Sequence, residues 1–143
     1  AVLGRLQTKK LDGWVAKRRE LASLLTERLS EHPMLRVPVA PDHLFNSHYR
    51  WYGYLDVAQL RDGWTRDRVC DEVSKLGYWC QVGSCCEIYL EKAFDGGLRP
   101  DRLPVARELG ESSVCLAVHP TLGVGDVLEA AEALGYVLDQ AQR

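Results

Sequence analysis

The sequence lacks any long apolar run, any excess of one charge and any paired metal-ligand motif. No apolar segment approaches the roughly 18 residues that a membrane-spanning helix needs, and no segment resembles a signal peptide. Lysine and arginine number 18 against 20 aspartate and glutamate residues, which gives a formal net charge of −2. This balance argues against nucleic acid as a partner. We therefore expect a cytoplasmic protein that binds neither a membrane nor nucleic acid.

Cysteine is present, but in an odd number and without metal-binding spacing. The five cysteines include no Cys-x-x-Cys pair, and no histidine stands at zinc-finger distance from them. Free thiols in a reducing compartment are the simplest interpretation. The adjacent Cys85 and Cys86 leave a redox switch or part of a metal site open as alternatives.

The apolar pattern predicts a single α+β domain over residues 1–143. Leucines at three- and four-residue steps predict a linker helix within residues 1–32, about eight turns long and ended by Pro33. Because this pattern already runs at residue 1, we expect a piece of a larger protein. So long a helix exceeds what a small sheet can cover, so part of its apolar stripe should face another domain or a second copy.

The body, residues 33–143, alternates short strands with helices. This order predicts a small, mostly antiparallel sheet of three to four strands, with helices mainly on one face. A break at residues 95–97 and Pro100 separate two of the short helices. The predicted strands cover 35–39 (an edge strand), 48–57, 78–82 and 113–118, and the predicted helices cover 66–76, 87–94, 103–109 and about 125–142.

Polar residues at the ends of these strands are the candidates for a binding site. His119 ends a strand before Pro120 and could contact a ligand or transfer a proton, or be a turn histidine. Gly83 and Ser84 follow a strand, where a glycine lets the backbone approach a ligand; a plain turn is the alternative. Glu87 and Glu91, four apart on a predicted helix, suit an acid/base pair or a solvated face.

Arg50 opens the aromatic strand and could fork onto a phosphate or carboxylate, or be an ordinary surface arginine. Phosphate-binding glycine loops, a nucleophile elbow and paired histidine motifs are all missing from the sequence. Residue chemistry alone therefore predicts an α+β domain with one polar corner.

Three segments together resemble one enzyme family over essentially the full length. The first helix carries part of the likeness, followed by the aromatic strand at 48–56 and by residues 103–122, which end in His-Pro-x-Leu. In this order they resemble the C-terminal part of the DegT/DnrJ/StrS-type aminotransferases. In the first helix the likeness rests on Gly4, Gln7, Leu11, Trp14, Arg18 and Arg19.

The resemblance implies the C-terminal, small domain of a fold-type I aminotransferase. The intact enzyme would use pyridoxal 5'-phosphate to pass an amino group from an amino acid, usually glutamate, to a nucleotide-linked keto-sugar. Its partners would be the N-terminal cofactor-binding domain, the nucleotide-sugar and a second subunit of a homodimer. Where the family often has Tyr- and His-containing segments, residues 81–94 differ. Candidate substrate contacts are Gly83, Ser84, Glu87, Tyr89 and His119, with no catalytic base among them.

The family's cofactor lysine belongs to the preceding large domain, and no segment here matches its surroundings. Alone, this chain is therefore expected to hold no cofactor and to be inactive. A stand-alone binding module of the same fold is the alternative function, and a thiol-based redox protein is a third.

Overall fold

A computed structural model of the chain describes residues 2–94, 96–97 and 101–143. Its four strands, β1 (Leu35–Arg36), β2 (Trp51–Leu55), β3 (Cys80–Gln81) and β4 (Ser113–Leu116), form one antiparallel sheet in the order β1-β2-β4-β3. The five α-helices of these residues are α1 (Val2–Thr8), α2 (Leu11–Leu29), α3 (Arg66–Lys75), α4 (Pro104–Ser112) and α5 (Val124–Ala141). The predicted α+β class with a small antiparallel sheet is confirmed.

One sheet face carries the core because the central strand alternates. In β2, Trp51, Gly53 and Leu55 are buried, whereas Tyr52 and Tyr54 are half-buried on the opposite face. Helices α2, α3 and α5 cover the buried face with fully buried side chains such as Leu21, Val69, Val73, Leu134 and Leu138. The buried Trp51 indole N–H donates to Thr26 Oγ1 at 3.0 Å, which satisfies its one polar group.

The register places each strand residue on one of the two faces. Trp51 and Cys80 both pair with Leu116 on the core face. Tyr52 and Gln81 both pair with Cys115 on the opposite face, which we call the open face. Because β4 is the second central strand, the open face is built around Cys115 and Ser113.

The long first helix was predicted as continuous, and this prediction is wrong. The chain turns at Lys9 and Lys10, where the Lys10 N–H donates to the Gln7 carbonyl, three residues back. Leu3 and Leu6 of α1 are exposed, and α1 contains no buried residue. Without a packing surface, nothing in the described chain holds the first turns in line with α2.

The predicted helix over 87–94 is also wrong, because this segment forms two single 3₁₀ turns, Ile88–Leu90 and Lys92–Phe94. The other elements lie where they were predicted, with strands shorter by several residues. Thr65 caps α3, its Oγ1 accepting from the Arg68 N–H at 3.1 Å, and Gly77 follows with φ of 95°. Asp95 and Pro100 lie outside the described residues.

In the described part of the chain, no helix combines the length and apolarity that crossing a membrane requires.

Candidate functional site

The open face of the sheet carries polar and aromatic side chains that the core does not use. Tyr52 and Tyr54 stand two residues apart on β2, and the Arg36 guanidinium lies 4.7 Å from the centre of the Tyr54 ring. Helix α4 lies beside this face, where Arg36 approaches Glu108 at 3.9 Å. The open face is therefore half-covered and accessible between α4 and the strands.

Two open cavities flank α4. One, of about 710 Å³, lies between α4 and the β1–β2 edge and includes Arg36, Tyr54 and Arg107. The other, of about 590 Å³, is lined by the segment after β3 and by Gly110 and Glu111 of α4. Both have the size of small-ligand sites.

Gly83 and Ser84 form a corner against Tyr52. Gly83 has φ of 86°, and a Cβ placed on it would lie 2.5 Å from Tyr52 Cε1, so only glycine fits both the backbone and the ring. The Ser84 hydroxyl shares a 3.1 Å hydrogen bond with the Tyr52 hydroxyl. The two exposed hydroxyls therefore present one fixed donor–acceptor pair at the edge of the second cavity.

The two adjacent cysteines lie in the same cavity. The Cys85 thiol donates to Glu91 Oε1 at 3.1 Å, and the Cys86 thiol lies 3.6 Å from the Ser84 carbonyl oxygen. The hydrogen bond to Glu91, followed by burial, raises the pKa of the Cys85 thiol. A protonated thiol is a poor nucleophile, so Cys85 is not tuned for redox chemistry.

Glu87 is held in an ion pair with Arg102. Arg102 donates to both carboxylate oxygens of Glu87, from Nε to Oε1 at 2.9 Å and from Nη2 to Oε2. The Tyr89 hydroxyl also donates to Glu87 Oε1, at 2.7 Å. Tyr89 also accepts from the Leu103 N–H at 3.0 Å. The Arg102 hydrogen bonds lower the pKa of Glu87 to about 2. This network fastens the 3₁₀ segment to the start of α4.

Arg102 continues the network on the α4 side. Its guanidinium donates to Glu111 Oε1 at 2.8 Å, and Arg107 donates to the same carboxylate at 3.1 Å. Arg102 lines the first cavity and Glu111 lines both, so the network forms the partition between them.

His119 lies apart from the other predicted residues. Gly83 follows β3 beside the beginning of β4, where Ser113 Oγ donates to the Val82 carbonyl at 2.7 Å. His119 stands three residues beyond the other end of β4, and its Nδ1 lies 2.8 Å from Thr121 Oγ1. The structure thus brings Gly83, Ser84, Glu87 and Tyr89 together and leaves His119 at the opposite end of the strand.

Sequence reasoning overlooked Tyr52, Tyr54 and Arg102. The two tyrosines had a signal, since the alternation in β2 places them on the face opposite Trp51. Arg102 had none, because its pairing with Glu87 spans 15 residues and depends on the turns between them.

The residues of this chain do not fit a covalent pyridoxal phosphate site. Such a site needs a lysine in an enclosed cavity. Lys17 and Lys75 are paired with Glu20 and Glu72 on helix surfaces, and Lys92 is exposed at the rim of the second cavity, which is open to solvent. Lys9 and Lys10 are exposed in the turn before α2. Within the described ranges, no group of three or more His, Cys, Asp or Glu residues could hold a metal ion.

The fold and this site define an α+β domain whose sheet is covered by helices on one face and offers a polar, aromatic pocket wall on the other. Residues 1–135 match the model of the DegT/DnrJ/EryC1/StrS aminotransferase family, and the chain belongs to that family. A comparison with curated proteins gave no significant match.

Solved structures of aminotransferases share the fold. An aminotransferase from Psychrobacter cryohalolentis is 37% identical with a TM-score of 0.90, and the match covers 98% of this chain and 38% of that one. For TlmJ from Streptoalloteichus hindustanus the identity is 24%, the TM-score 0.81 and the coverage 96% and 35%. Helicobacter pylori PseC, an aminotransferase involved in pseudoaminic acid biosynthesis, is 18% identical with a TM-score of 0.84, and the match covers 96% of this chain and 36% of that one. The last two establish the fold alone. The chain spans a little over a third of each.

Proposed function

We propose that this chain is the C-terminal domain of a pyridoxal-phosphate aminotransferase that aminates a nucleotide-linked keto-sugar with an amino acid as donor. Family membership over residues 1–135 is the observation that carries the proposal. The resemblance carried by the first helix, the aromatic strand and the His-Pro-x-Leu segment implies a nucleotide-linked keto-sugar as the acceptor. Pyridoxal phosphate would supply the amino-group carrier chemistry, held by a domain outside this chain.

In this enzyme the open face forms one wall of the substrate pocket. The paired hydroxyls of Tyr52 and Ser84 can exchange hydrogen bonds with sugar hydroxyls, because each group both donates and accepts. The Tyr52 ring offers an apolar surface beside them. Gly83 and Tyr89 hold this wall in place. Gly83 leaves room for the Tyr52 ring, and Tyr89 donates a hydrogen bond to the Glu87 carboxylate. His119 is proposed to contact a different part of the ligand or of the partner domain.

The proposed partners are the cofactor-binding domain and, in the intact enzyme, a second subunit in the cytoplasm. The exposed leucines of α1, with Leu3 at 76% exposure, support burial against a partner. A stand-alone binding module is the second candidate function. The redox alternative is disfavoured for Cys85, because the hydrogen bond to Glu91 raises the pKa of its thiol.

Half-reaction kinetics of the intact enzyme test the proposal. Tyr52→Phe and Ser84→Ala each remove one side of the hydroxyl pair, so the sugar half-reaction should lose about two- to tenfold in kcat/KM. The amino-donor half-reaction should be unchanged. Tyr136→Phe, at an exposed position of α5, is the matched control. Equal losses in both half-reactions would contradict the assigned role.

The 143-residue chain alone tests where the cofactor is held. After incubation with pyridoxal phosphate and dialysis, no cofactor absorbance should remain. An absorbance band that survives dialysis and disappears on borohydride reduction would indicate a covalent imine. If tryptic mapping then places the reduced adduct on one lysine of this chain, the proposal that the cofactor lysine lies elsewhere is overturned.

A further inference from the structure

The exposed stretch of residues 84–86, which we call the corner segment, is fixed at both of its ends. Before it, Ser113 Oγ on β4 donates to the Val82 carbonyl at 2.7 Å, so this end is attached to the sheet. After it, the carboxylate of Glu87 is bound by Arg102. The second anchor is therefore ionic, and it joins two parts of the chain that lie 15 residues apart.

Helix α4 gives this ionic anchor a fixed support. Arg66 of α3, whose side chain is only 14% exposed, donates from Nη1 to the Gly110 carbonyl at 2.8 Å and to the Ser113 carbonyl at 2.9 Å. A Cβ placed on Gly110 would lie 3.3 Å from Cys86 Cβ, so α4 and the corner segment are in close contact. Because α3 packs in the core, α4 cannot shift without breaking these contacts. Arg102 lies two residues before the first residue of α4 and is held by this support.

The carboxylate of Glu87 depends on Arg102 for its countercharge. The Glu87 side chain is 9% exposed, whereas that of Arg102 is 40% exposed. The Tyr89 hydroxyl donates to Glu87 at 2.7 Å, but it carries no charge. Among the described residues, Arg102 is the one cation that forms an ion pair with Glu87. Removal of one partner from a pair with so little access to water leaves an uncompensated buried charge, which is strongly unfavourable.

Movement of the corner segment would relieve that charge at the lowest cost. Ser84 and Cys85 are exposed, so an outward movement of this stretch breaks few packing contacts and brings Glu87 to water. Ser84 stands only three residues before Glu87, and its 3.1 Å hydrogen bond with the Tyr52 hydroxyl would be broken by such a movement. The geometry of the hydroxyl pair thus depends on the guanidinium of Arg102, which is hydrogen-bonded to neither hydroxyl.

We propose that Arg102 is a positioning residue for the acceptor sugar: by neutralising Glu87 it keeps the Ser84 hydroxyl beside Tyr52, where the sugar binds. The assignment of the ligand as a sugar rests on the proposed function. Loss of Arg102 weakens sugar binding because it leaves the Glu87 charge unpaired. Removal of the Glu87 charge in the same protein therefore restores the pocket wall.

Kinetics of the intact enzyme test this role through a second-site suppressor. Arg102→Gln should raise the KM for the nucleotide-linked keto-sugar about tenfold or more, while kcat and the KM for the amino donor change less than about twofold. Glu87→Gln should raise the keto-sugar KM less than about threefold, because a neutral amide can stay buried and still accept from Tyr89. The double variant should have a keto-sugar KM within about threefold of wild type. A double variant as weak as Arg102→Gln would overturn the proposal.

Two further variants separate position from net charge. Arg107 of α4 donates to Glu111 at 3.1 Å, as Arg102 does at 2.8 Å, but it forms no ion pair with Glu87 in the described chain. Arg107→Gln should leave the keto-sugar KM unchanged. An increase equal to that of Arg102→Gln would reduce the effect to net charge and overturn the proposal. Arg102→Lys keeps the charge and should recover a KM within about threefold of wild type; a lysine variant as weak as Arg102→Gln would also overturn it.

The suppressor covers the case in which Arg102→Gln does not fold. A double variant that folds and has a nearly wild-type keto-sugar KM then supports the proposal, since only the charge of Glu87 was removed in addition. A folded double variant whose KM is about tenfold higher than wild type overturns it.

Nuclear magnetic resonance of the 143-residue chain separates failure of this role from failure of the proposed function. The heteronuclear NOE of the backbone amides of residues 84–86 should fall in Arg102→Gln, as the corner segment becomes mobile, and return to wild-type values in the double variant. The amides of α3 should not change. Unchanged NOE values and chemical shifts at residues 84–86 would overturn the positioning role whatever the substrate. The expected NOE changes in a chain whose intact enzyme aminates no keto-sugar would overturn the proposed function and leave the positioning role.

Discussion

Replacement of Gly83 by alanine should destabilise the chain and loosen the corner at the same time. Gly83 has φ of 86°, a conformation that costs a residue with a Cβ about 1–2 kcal/mol. The new methyl group would lie 2.5 Å from Tyr52 Cε1, so the ring must move. Moving it breaks the 3.1 Å hydrogen bond to Ser84, which adds about 0.5–1.5 kcal/mol. The free energy of unfolding should therefore fall by about 1.5–3.5 kcal/mol.

Gly77→Ala is the control for the backbone contribution. Gly77 has φ of 95°, and nothing lies within 4 Å of where its Cβ would be. Its replacement should cost about 1–2 kcal/mol and no more. Urea unfolding followed by circular dichroism measures both variants, with equal m-values as the check on two-state behaviour.

A double-mutant cycle isolates the contact with the ring. In a Tyr52→Val background, Gly83→Ala should cost the same as Gly77→Ala, since the ring is gone. The coupling between residues 52 and 83 should be about 1 kcal/mol. If Gly83→Ala costs no more than Gly77→Ala in the wild-type background, the reasoning about the corner is refuted.

Three further predictions concern charge, capping and thiol chemistry. Because the folded pKa of Glu87 is lowered to about 2, its stabilising effect is present above its unfolded pKa and is lost as the pH falls towards 2. When unfolding is measured at stepped pH, the free energy of unfolding should fall less on acidification in Glu87→Gln than in wild type. The same dependence on pH in both proteins would contradict the ion pair. Thr65→Ala should lower the unfolding free energy by about 1 kcal/mol, while Thr65→Ser retains it; equal losses would argue against the cap. Glu91→Gln should speed alkylation of Cys85, measured by mass spectrometry, because its carboxylate raises the thiol pKa; an unchanged rate contradicts that hydrogen bond.

The elements that depend on local chemistry could be predicted. Thr65 and Gly77 bound α3 as their side-chain and backbone preferences require, and Pro104 begins α4. The alternation of residues in β2 separates Trp51, Gly53 and Leu55 from Tyr52 and Tyr54, and this is the division between the core and the open face. Two helices were mispredicted because periodicity does not reveal whether a surface exists to pack against. Leu3 and Leu6 keep helical spacing without any contact that would stabilise a continuous helix.

Only some residues of the candidate corner were named from the sequence, and their arrangement could not be predicted. Glu87 and Glu91 look like a carboxylate pair in the sequence, yet one is paired with Arg102 and the other with Cys85. His119 looks like part of the same corner, yet β4 separates it from Ser84. These partners come from distant positions, and a one-dimensional pattern carries no information about which distant groups meet.

By itself, the sequence determined the fold class, the two faces of β2 and the resemblance to the aminotransferase family, because periodicity, capping and motif order are local properties. Only the tertiary structure decided which polar groups are satisfied and which remain available. It paired Glu87 with Arg102 and left Tyr52, Ser84 and Arg50 on the open face. The physical reason is that an ionic or polar side chain acts according to its neighbours, and the packing of the sheet and α4 brings those neighbours together.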